Sequence, residues 1–154
     1  TNKMLPSAYN SIPTTEEALG IYYDPNHDYS LLPNGHSFGN CGNVAHYLRE
    51  LLQQGDVVGF YVADNPTVIS EEIRMCGGHT FLLLENRWVV DLWISLFAGL
   101  TPHRLFDLLS PDDHQSIRHY FGETHCWSRW NRNHWVAYIP TSRLNLHNQP
   151  ERSD

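Results

Sequence analysis

The sequence contains no long apolar run. Its longest apolar stretches, Phe81–Leu84 and Leu96–Leu100, fall far short of the roughly 18 consecutive apolar residues that a membrane-spanning helix needs. Residues 1–10 also lack the basic start and apolar segment of a secretory signal. We therefore expect no membrane span. Because the chain starts at a threonine, we expect it to be a domain excised from a longer protein.

Basic side chains are scarce as well. Ten Lys and Arg residues stand against 17 Asp and Glu residues, which gives a formal net charge of -7 with histidine neutral. Nucleic-acid binders need clustered cations for phosphate contacts, so this balance argues against nucleic acid as the main partner. One local cluster, Arg129 and Arg132 among Trp127, Trp130 and Trp135, has the aromatic character of a base-stacking surface. The same residues would equally suit an aromatic rim for a protein substrate, or core packing.

Cysteine is rare and odd in number. Three cysteines cannot form a closed disulfide framework. Disulfides are largely restricted to oxidising compartments, so we expect free thiols and a protein that acts in a reducing cytoplasm.

The chain has the length of one domain and enough apolar residues for a core. It contains 154 residues, 41% of them hydrophobic. Residues 1–38 are rich in proline and turn pairs and are expected to form an irregular lead-in, with a short helix starting at Thr14 or Thr15. Residues 39–140 form the predicted core, and residues 141–154 a polar tail.

The core alternates helical and strand patterns. Apolar residues at helical spacing follow Cys41, namely Val44, Ala45, Leu48, Leu51 and Leu52, and Gly55 is a candidate left-handed cap. Strands are predicted at 57–62, 79–84, 87–93 and 133–139, with a loop at 64–78 that contains at most one helical turn. Two further helices are predicted to start at Thr101-Pro102 and Ser110-Pro111, where a hydroxyl precedes a proline. The order indicates an α+β domain with an antiparallel sheet.

Cys41 lies where a turn of small residues becomes the first of these helices. Unsatisfied N–H groups at a helix start favour a thiolate and can also face the oxyanion of a tetrahedral intermediate. Glycines on either side, Gly39 and Gly42, leave room for a substrate backbone. The position therefore predicts a nucleophilic cysteine.

A base and an acid follow at suitable places. His79 opens an apolar strand after a glycine pair, and Asp91 lies within an apolar run on the next strand. A hairpin that turns at Glu85-Asn86 would bring His79 and Asp91 roughly opposite each other, and cross-strand neighbours are about 4.5–5.5 Å apart between Cβ atoms. A buried acid needs a partner, and a thiolate needs an oriented base. Cys41, His79 and Asp91 are thus predicted to form a triad.

The three motifs resemble a known superfamily. Gly39 to Leu52 reads Gly-Asn-Cys-Gly-x-x-Ala-x-x-Leu-x-x-Leu-Leu, residues 77–84 read Gly-Gly-His-Thr-Phe-Leu-Leu-Leu, and residues 87–91 read Arg-Trp-Val-Val-Asp. Together they resemble the transglutaminase-like core of the papain-like superfamily, including the papain-fold glutamine deamidases of bacterial toxins and effectors. The resemblance covers about residues 34–93. It implies that the nucleophile's helix packs on an antiparallel sheet.

The resemblance also implies a function. It predicts a thiol-dependent amide hydrolase or acyl-transfer enzyme that needs no cofactor, with protein-glutamine deamidation as first choice and proteolysis or transglutamination as alternatives. A toxin or effector role implies a protein substrate, delivery as part of a larger protein and an inhibitory or immunity protein as partner. The glutamine that papain uses before its cysteine is missing here. Candidates for substrate contact or oxyanion binding are Asn34, Asn40, Gly42 and Trp93.

Two readings of another class stay open. A catalytically inactive binding module would keep the aromatic surface and would not need Cys41. A zinc-stabilised module would use the ligand-like spacing Cys76-x-x-His79, completed by His125-Cys126 or His134. No second pair of such spacing supports zinc, so no metal is predicted.

Overall fold

A six-stranded antiparallel sheet organises the part of the chain that the computed structural model describes, residues 4–15, 41–131 and 134–140. The strands are β1 (Asp56–Tyr61), β2 (Gly78–Leu84), β3 (Trp88–Val90), β4 (Leu105–Asp107), β5 (Ser128–Asn131) and β6 (His134–Pro140). Their order across the sheet is β4-β3-β2-β1-β5-β6, and every neighbouring pair is antiparallel. With its helices, the domain is α+β, as predicted.

Helix α1 (Cys41–Leu52) packs on the central strand β2. Val44, Leu48 and Leu52 recur every fourth residue and are buried, which is the stripe that the sequence predicts. Leu51 is the exception, because it lies at the margin of the stripe and is 47% exposed. The first left-handed residue after the helix is Gln53 rather than Gly55, although both have positive φ.

Helix α2 (Glu71–Cys76) occupies the segment for which at most one helical turn was predicted. The Ser70 hydroxyl accepts a hydrogen bond from the Ile73 N–H at 3.3 Å, and Gly77 ends the helix in the left-handed region at φ 79°. This short helix leads directly into β2, whose second residue is His79.

The helix predicted after Thr101-Pro102 is wrong, whereas the one after Ser110-Pro111 is confirmed. Residues 105–107 form strand β4, which pairs with β3. A short apolar run is compatible with either element, and here the open edge of β3 decides in favour of a strand. Helix α3 (Pro111–Phe121) carries its proline in the first turn, as expected, and buries Ile117 and Phe121.

The core is aromatic and includes the chain's beginning. Phe81, Phe121 and Trp127 contact one another through edge-on ring pairs with centroids 4.8–6.5 Å apart. Ala8 and Ile12, from the predicted lead-in, are buried in the same core. Among the described helices, none has both the length and the apolar character that crossing a bilayer requires.

Candidate active site

Cys41 is the first residue of α1 and is half-buried. No acidic residue lies in the first turn of this helix, so no carboxylate of that turn opposes a negative charge on the sulfur. The N–H groups of a helix's first turn have no intrahelical acceptor, and they stabilise an anion there. The position therefore suits a thiolate.

His79 lies beside this helix start, in a closed aromatic surround. It is 2% exposed, and its ring centroid is 5.2 Å from that of Trp93, 5.8 Å from Phe121 and 6.3 Å from Phe60. Phe60 is also its partner across the β1–β2 ladder. The imidazole is thus held by packing on several sides, and little water reaches it.

Asp91 fixes the orientation of this imidazole. Its Oδ2 lies 2.5 Å from Nε2 of His79, and since a carboxylate only accepts, Nε2 carries the hydrogen. Its Oδ1 accepts a hydrogen bond from the Ile94 N–H at 3.0 Å, at the start of the π-helical turn Trp93–Phe97. The Asp91 N–H donates to the Arg104 carbonyl at 2.9 Å. Both carboxylate oxygens and the backbone are therefore engaged.

The predicted contact between His79 and Asp91 is confirmed, but the predicted register is not. Leu82 faces Val90 and Leu84 faces Trp88, so the hairpin is offset by two residues from the pairing that would set His79 directly opposite Asp91. Asp91 follows the end of β3. An offset of two keeps every side chain on its face of the sheet, because side chains alternate with period two. The carboxylate therefore reaches the imidazole diagonally.

The other ring nitrogen of His79, Nδ1, is the one left for an interaction with the nucleophile. Nδ1 is buried and has no fully formed hydrogen bond within the described residues. Cys41 nevertheless lies close enough to act on the imidazole through a side-chain hydrogen-bonding interaction and through its charge. With Nε2 committed to Asp91, the nitrogen available to the sulfur is Nδ1. The imidazole therefore has the carboxylate as its hydrogen-bond partner and the thiol as a neighbour.

These neighbours decide the charge of His79. Burial lowers the pKa of the imidazole, but the Asp91 carboxylate and the Cys41 sulfur raise it more strongly, and the resulting pKa is about 10, above the usual 6.5. The imidazolium form is consequently favoured at neutral pH. A cation between two acidic groups is the arrangement of a thiolate–imidazolium pair.

The other two cysteines have raised pKa values. Burial, together with the charges of Cys41 and Glu72, raises the pKa of Cys76 to about 12. Burial, together with Glu123 and Asp64, also raises the pKa of Cys126. Both side chains therefore stay protonated at neutral pH, and neither has an imidazole among the groups that shift its pKa.

The described part of the chain contains no cluster of side chains that could hold the zinc ion of the alternative hypothesis. Nowhere in it do three His, Cys, Asp or Glu side chains converge as metal ligands. The zinc hypothesis uses His79 as a ligand, but Nε2 of this histidine is already hydrogen-bonded to Asp91.

Of the four residues predicted to contact the oxyanion or the substrate, the structure describes two. Asn34 and Asn40 lie outside the described residues. Gly42 is buried in the first turn of α1, next to Cys41. Trp93 is buried against His79, and its Nε1 has no hydrogen-bond partner within the described residues. Sequence reasoning did not anticipate Phe60 and Phe121 around the base, although Phe60 could have been found by pairing the strands at 57–62 and 79–84.

Comparison of the chain with protein-family models, with curated proteins and with solved structures found no match. What the site does is therefore inferred from its own chemistry.

Proposed function

We propose that the protein is a thiol-dependent amide hydrolase in which Cys41 is the nucleophile, His79 the base and acid, and Asp91 the orienting carboxylate. The observation that carries this proposal is the buried imidazole of His79, which is hydrogen-bonded through Nε2 to Asp91 and lies close enough to Cys41 for the sulfur to raise its pKa. A nucleophile, a base within reach of it and a third group that orients the base are the recurring parts of covalent amide hydrolysis.

In the first half-reaction the Cys41 thiolate attacks the carbonyl carbon of the amide. The carbonyl electrons move to oxygen, and the proposed stabilisers of the oxyanion are N–H groups at the start of α1. The carbon–nitrogen bond then breaks, and the His79 imidazolium gives its proton to the departing nitrogen. The products are a thioester on Cys41, a neutral imidazole and free ammonia or amine.

In the second half-reaction the neutral His79 takes a proton from water as the water attacks the thioester carbonyl. The carbon–sulfur bond breaks, a carboxylic acid leaves, and the thiolate–imidazolium pair is restored. Asp91 keeps Nε2 protonated throughout, so that the nitrogen facing the sulfur is the one that exchanges protons. Attack by a second amine instead of water would give transglutamination.

Our preferred substrate is the side-chain carboxamide of a protein glutamine. The support for this choice is the resemblance of the Cys41, His79 and Asp91 motifs to transglutaminase-like enzymes and to effector deamidases. The same resemblance supports a toxin or effector role with an immunity protein as inhibitor. Action in a reducing compartment fits the chemistry, since the nucleophile must stay a free thiol.

The test compares the wild-type protein with Cys41→Ala, each incubated with glutamine-containing proteins, by intact mass. Deamidation predicts a gain of about 1 Da per modified glutamine through the thioester route, absent in the variant. Cys126→Ser, which removes another half-buried cysteine, is the matched control and should retain activity. Fragments that depend on Cys41 would indicate a protease instead. Identical behaviour of wild type and Cys41→Ala on all substrates would overturn the proposal.

A further inference from the structure

A cavity lies at the edge of the sheet that β4 forms, between this strand and residues 5–9. It has a volume of about 320 Å³, and we call it the β4 cavity. Its lining consists of three apolar and three polar residues, namely Leu5, Pro102 and Leu105 with Tyr9, His103 and Arg104. Tyr9, in the 3-10 turn Tyr9–Ser11, and Leu105, in β4, both pack against the hydrophobic core. Two of its walls are therefore anchored to the core.

The charge of the β4 cavity is positive. Arg104 is the one permanently charged residue of its lining, and no carboxylate lies among the lining residues that the structure describes. The Nε of Arg104 is buried and has no hydrogen-bond partner within residues 4–15, 41–131 and 134–140. None of the ion pairs found in that part of the chain involves Arg104 either. A buried N–H donor normally has an acceptor, so the cavity is suited to receive one that carries negative charge.

The other lining residues indicate what kind of anion fits. The Tyr9 hydroxyl and the His103 ring can each donate a hydrogen bond, so the cavity offers donors beside the guanidinium. Leu5, which is 43% exposed, and Pro102, also exposed, present apolar surface to solvent at the same cavity. A guanidinium matches the planar fork of a carboxylate, whereas apolar walls favour a hydrocarbon group. The volume lies near the lower end of ligand pockets, which run from about 300 to 1,000 Å³, and this favours a small molecule.

We infer that the β4 cavity binds a small organic carboxylate, whose charged group pairs with Arg104 and whose hydrocarbon part packs on the apolar walls. The lining contains none of the triad residues, and the inference does not depend on the proposed function. The cavity is nevertheless joined to the triad through the backbone, because the Arg104 carbonyl accepts the Asp91 N–H at 2.9 Å. Leu105 also pairs with Val90, the residue before Asp91. The Asp91 amide is therefore a reporter of what occupies the cavity.

The test uses the whole protein, isotopically labelled, and follows its backbone amide signals by NMR as hexanoate is added. The signals of Arg104, Leu105 and Asp91 should shift saturably. Hexanamide, which has the same shape without the charge, and acetate, which lacks most of the hydrocarbon, should each bind at least about 10-fold more weakly. Arg104→Gln should weaken hexanoate binding by about 10-fold or more. Arg74→Gln, which removes an exposed arginine on α2, is the matched control and should bind hexanoate as the wild type does.

The comparison of hexanoate with hexanamide needs no variant, so the test stands even if thermal unfolding shows that Arg104→Gln does not fold. Equal affinities for hexanoate and hexanamide, or an unchanged hexanoate affinity in a folded Arg104→Gln protein, would overturn the inference. So would hexanoate-induced shifts that spare residues 102–105, because the ligand would then bind elsewhere. Inorganic phosphate that binds as tightly as hexanoate would refute the preference for an organic carboxylate, and the absence of any saturable shift at millimolar hexanoate would refute the site itself.

Discussion

Replacing Asp91 with asparagine separates the charge of this side chain from its shape. In the wild type the Ile94 N–H donates to Oδ1 of Asp91 at 3.0 Å. Asparagine keeps an oxygen that can accept this hydrogen bond, so the π-helical turn retains it. The amide loses the negative charge that faces Nε2 of His79 across 2.5 Å. If its NH2 group turns to His79, Nε2 must become an acceptor, and the proton moves to the nitrogen that faces Cys41.

The size of the effect follows from the opposing influences on the pKa of His79. Burial is the largest of them and lowers the pKa, whereas Asp91 is the main group that raises it to about 10. Without the carboxylate, burial should take the pKa below the usual ~6.5, so that less than about a quarter of the imidazole is charged at pH 7. Turnover should fall roughly 10³- to 10⁴-fold, as it does when the orienting acid of a triad is neutralised.

The assay is the histidine ring's NMR titration, which reports both charge and tautomer at His79. His79→Gln identifies the signal by its disappearance, and thermal unfolding checks that Asp91→Asn is folded. Wild type should stay protonated through neutral pH, whereas the variant should be neutral with its hydrogen on Nδ1. A His79 titration unchanged by Asp91→Asn would refute the claim that the carboxylate sets the charge of the base.

Three further predictions concern stability. Folding raises the pKa of His79, so the contribution of this residue to the free energy of unfolding is complete below about pH 6.5 and is lost as the pH rises toward about 10. Urea unfolding at a series of pH values should show this decline, and His79→Gln should remove it. Gly59→Ala should destabilise the fold by about 1–3 kcal/mol in urea unfolding. The reason is that a Cβ at this position would lie 2.6 Å from the His79 carbonyl oxygen and 2.1 Å from Trp130 Nε1. An unchanged unfolding midpoint would contradict this packing. Asn65→Ala should cost about 1–3 kcal/mol, since the fully buried amide donates to the Phe121 carbonyl at 2.8 Å, and a loss well below that range would show that water replaces the bond.

The alternation of side chains along the strands predicted correctly that His79 and Asp91 meet, whereas the predicted register of the hairpin was wrong. His79 and Asp91 share a face of the sheet under either register, because the real hairpin differs from the predicted one by an even number of residues. The exact register depends on the turn, in which Glu85 and Asn86 both adopt positive φ. The turn itself was predicted at these two residues, but left-handed glutamate is uncommon, so residue type gave no indication of this backbone conformation or of the register that it sets.

Part of the aromatic surround of His79 could not be predicted, because it comes from distant segments of the chain. Phe121 ends α3 and lies 42 residues from His79 in the chain, yet its ring packs on the imidazole. The apolar run after Thr101 was assigned to a helix because the edge of β3 that recruits it is invisible to a local pattern. Nothing in the sequence indicated the charge interaction between Cys76 and Cys41.

The central claim is that His79 activates Cys41, and the pH profile of alkylation tests it without any substrate. Wild type and His79→Gln are treated with iodoacetamide from pH 5 to pH 10, and each cysteine is quantified by peptide mass. At neutral pH Cys41 should react faster than Cys76 and Cys126 in wild type and lose this advantage in His79→Gln, while Cys76 and Cys126 stay slow as internal controls. If Cys41 follows an ordinary thiol profile in both proteins, or reacts no faster than Cys76, the thiolate–imidazolium centre does not exist.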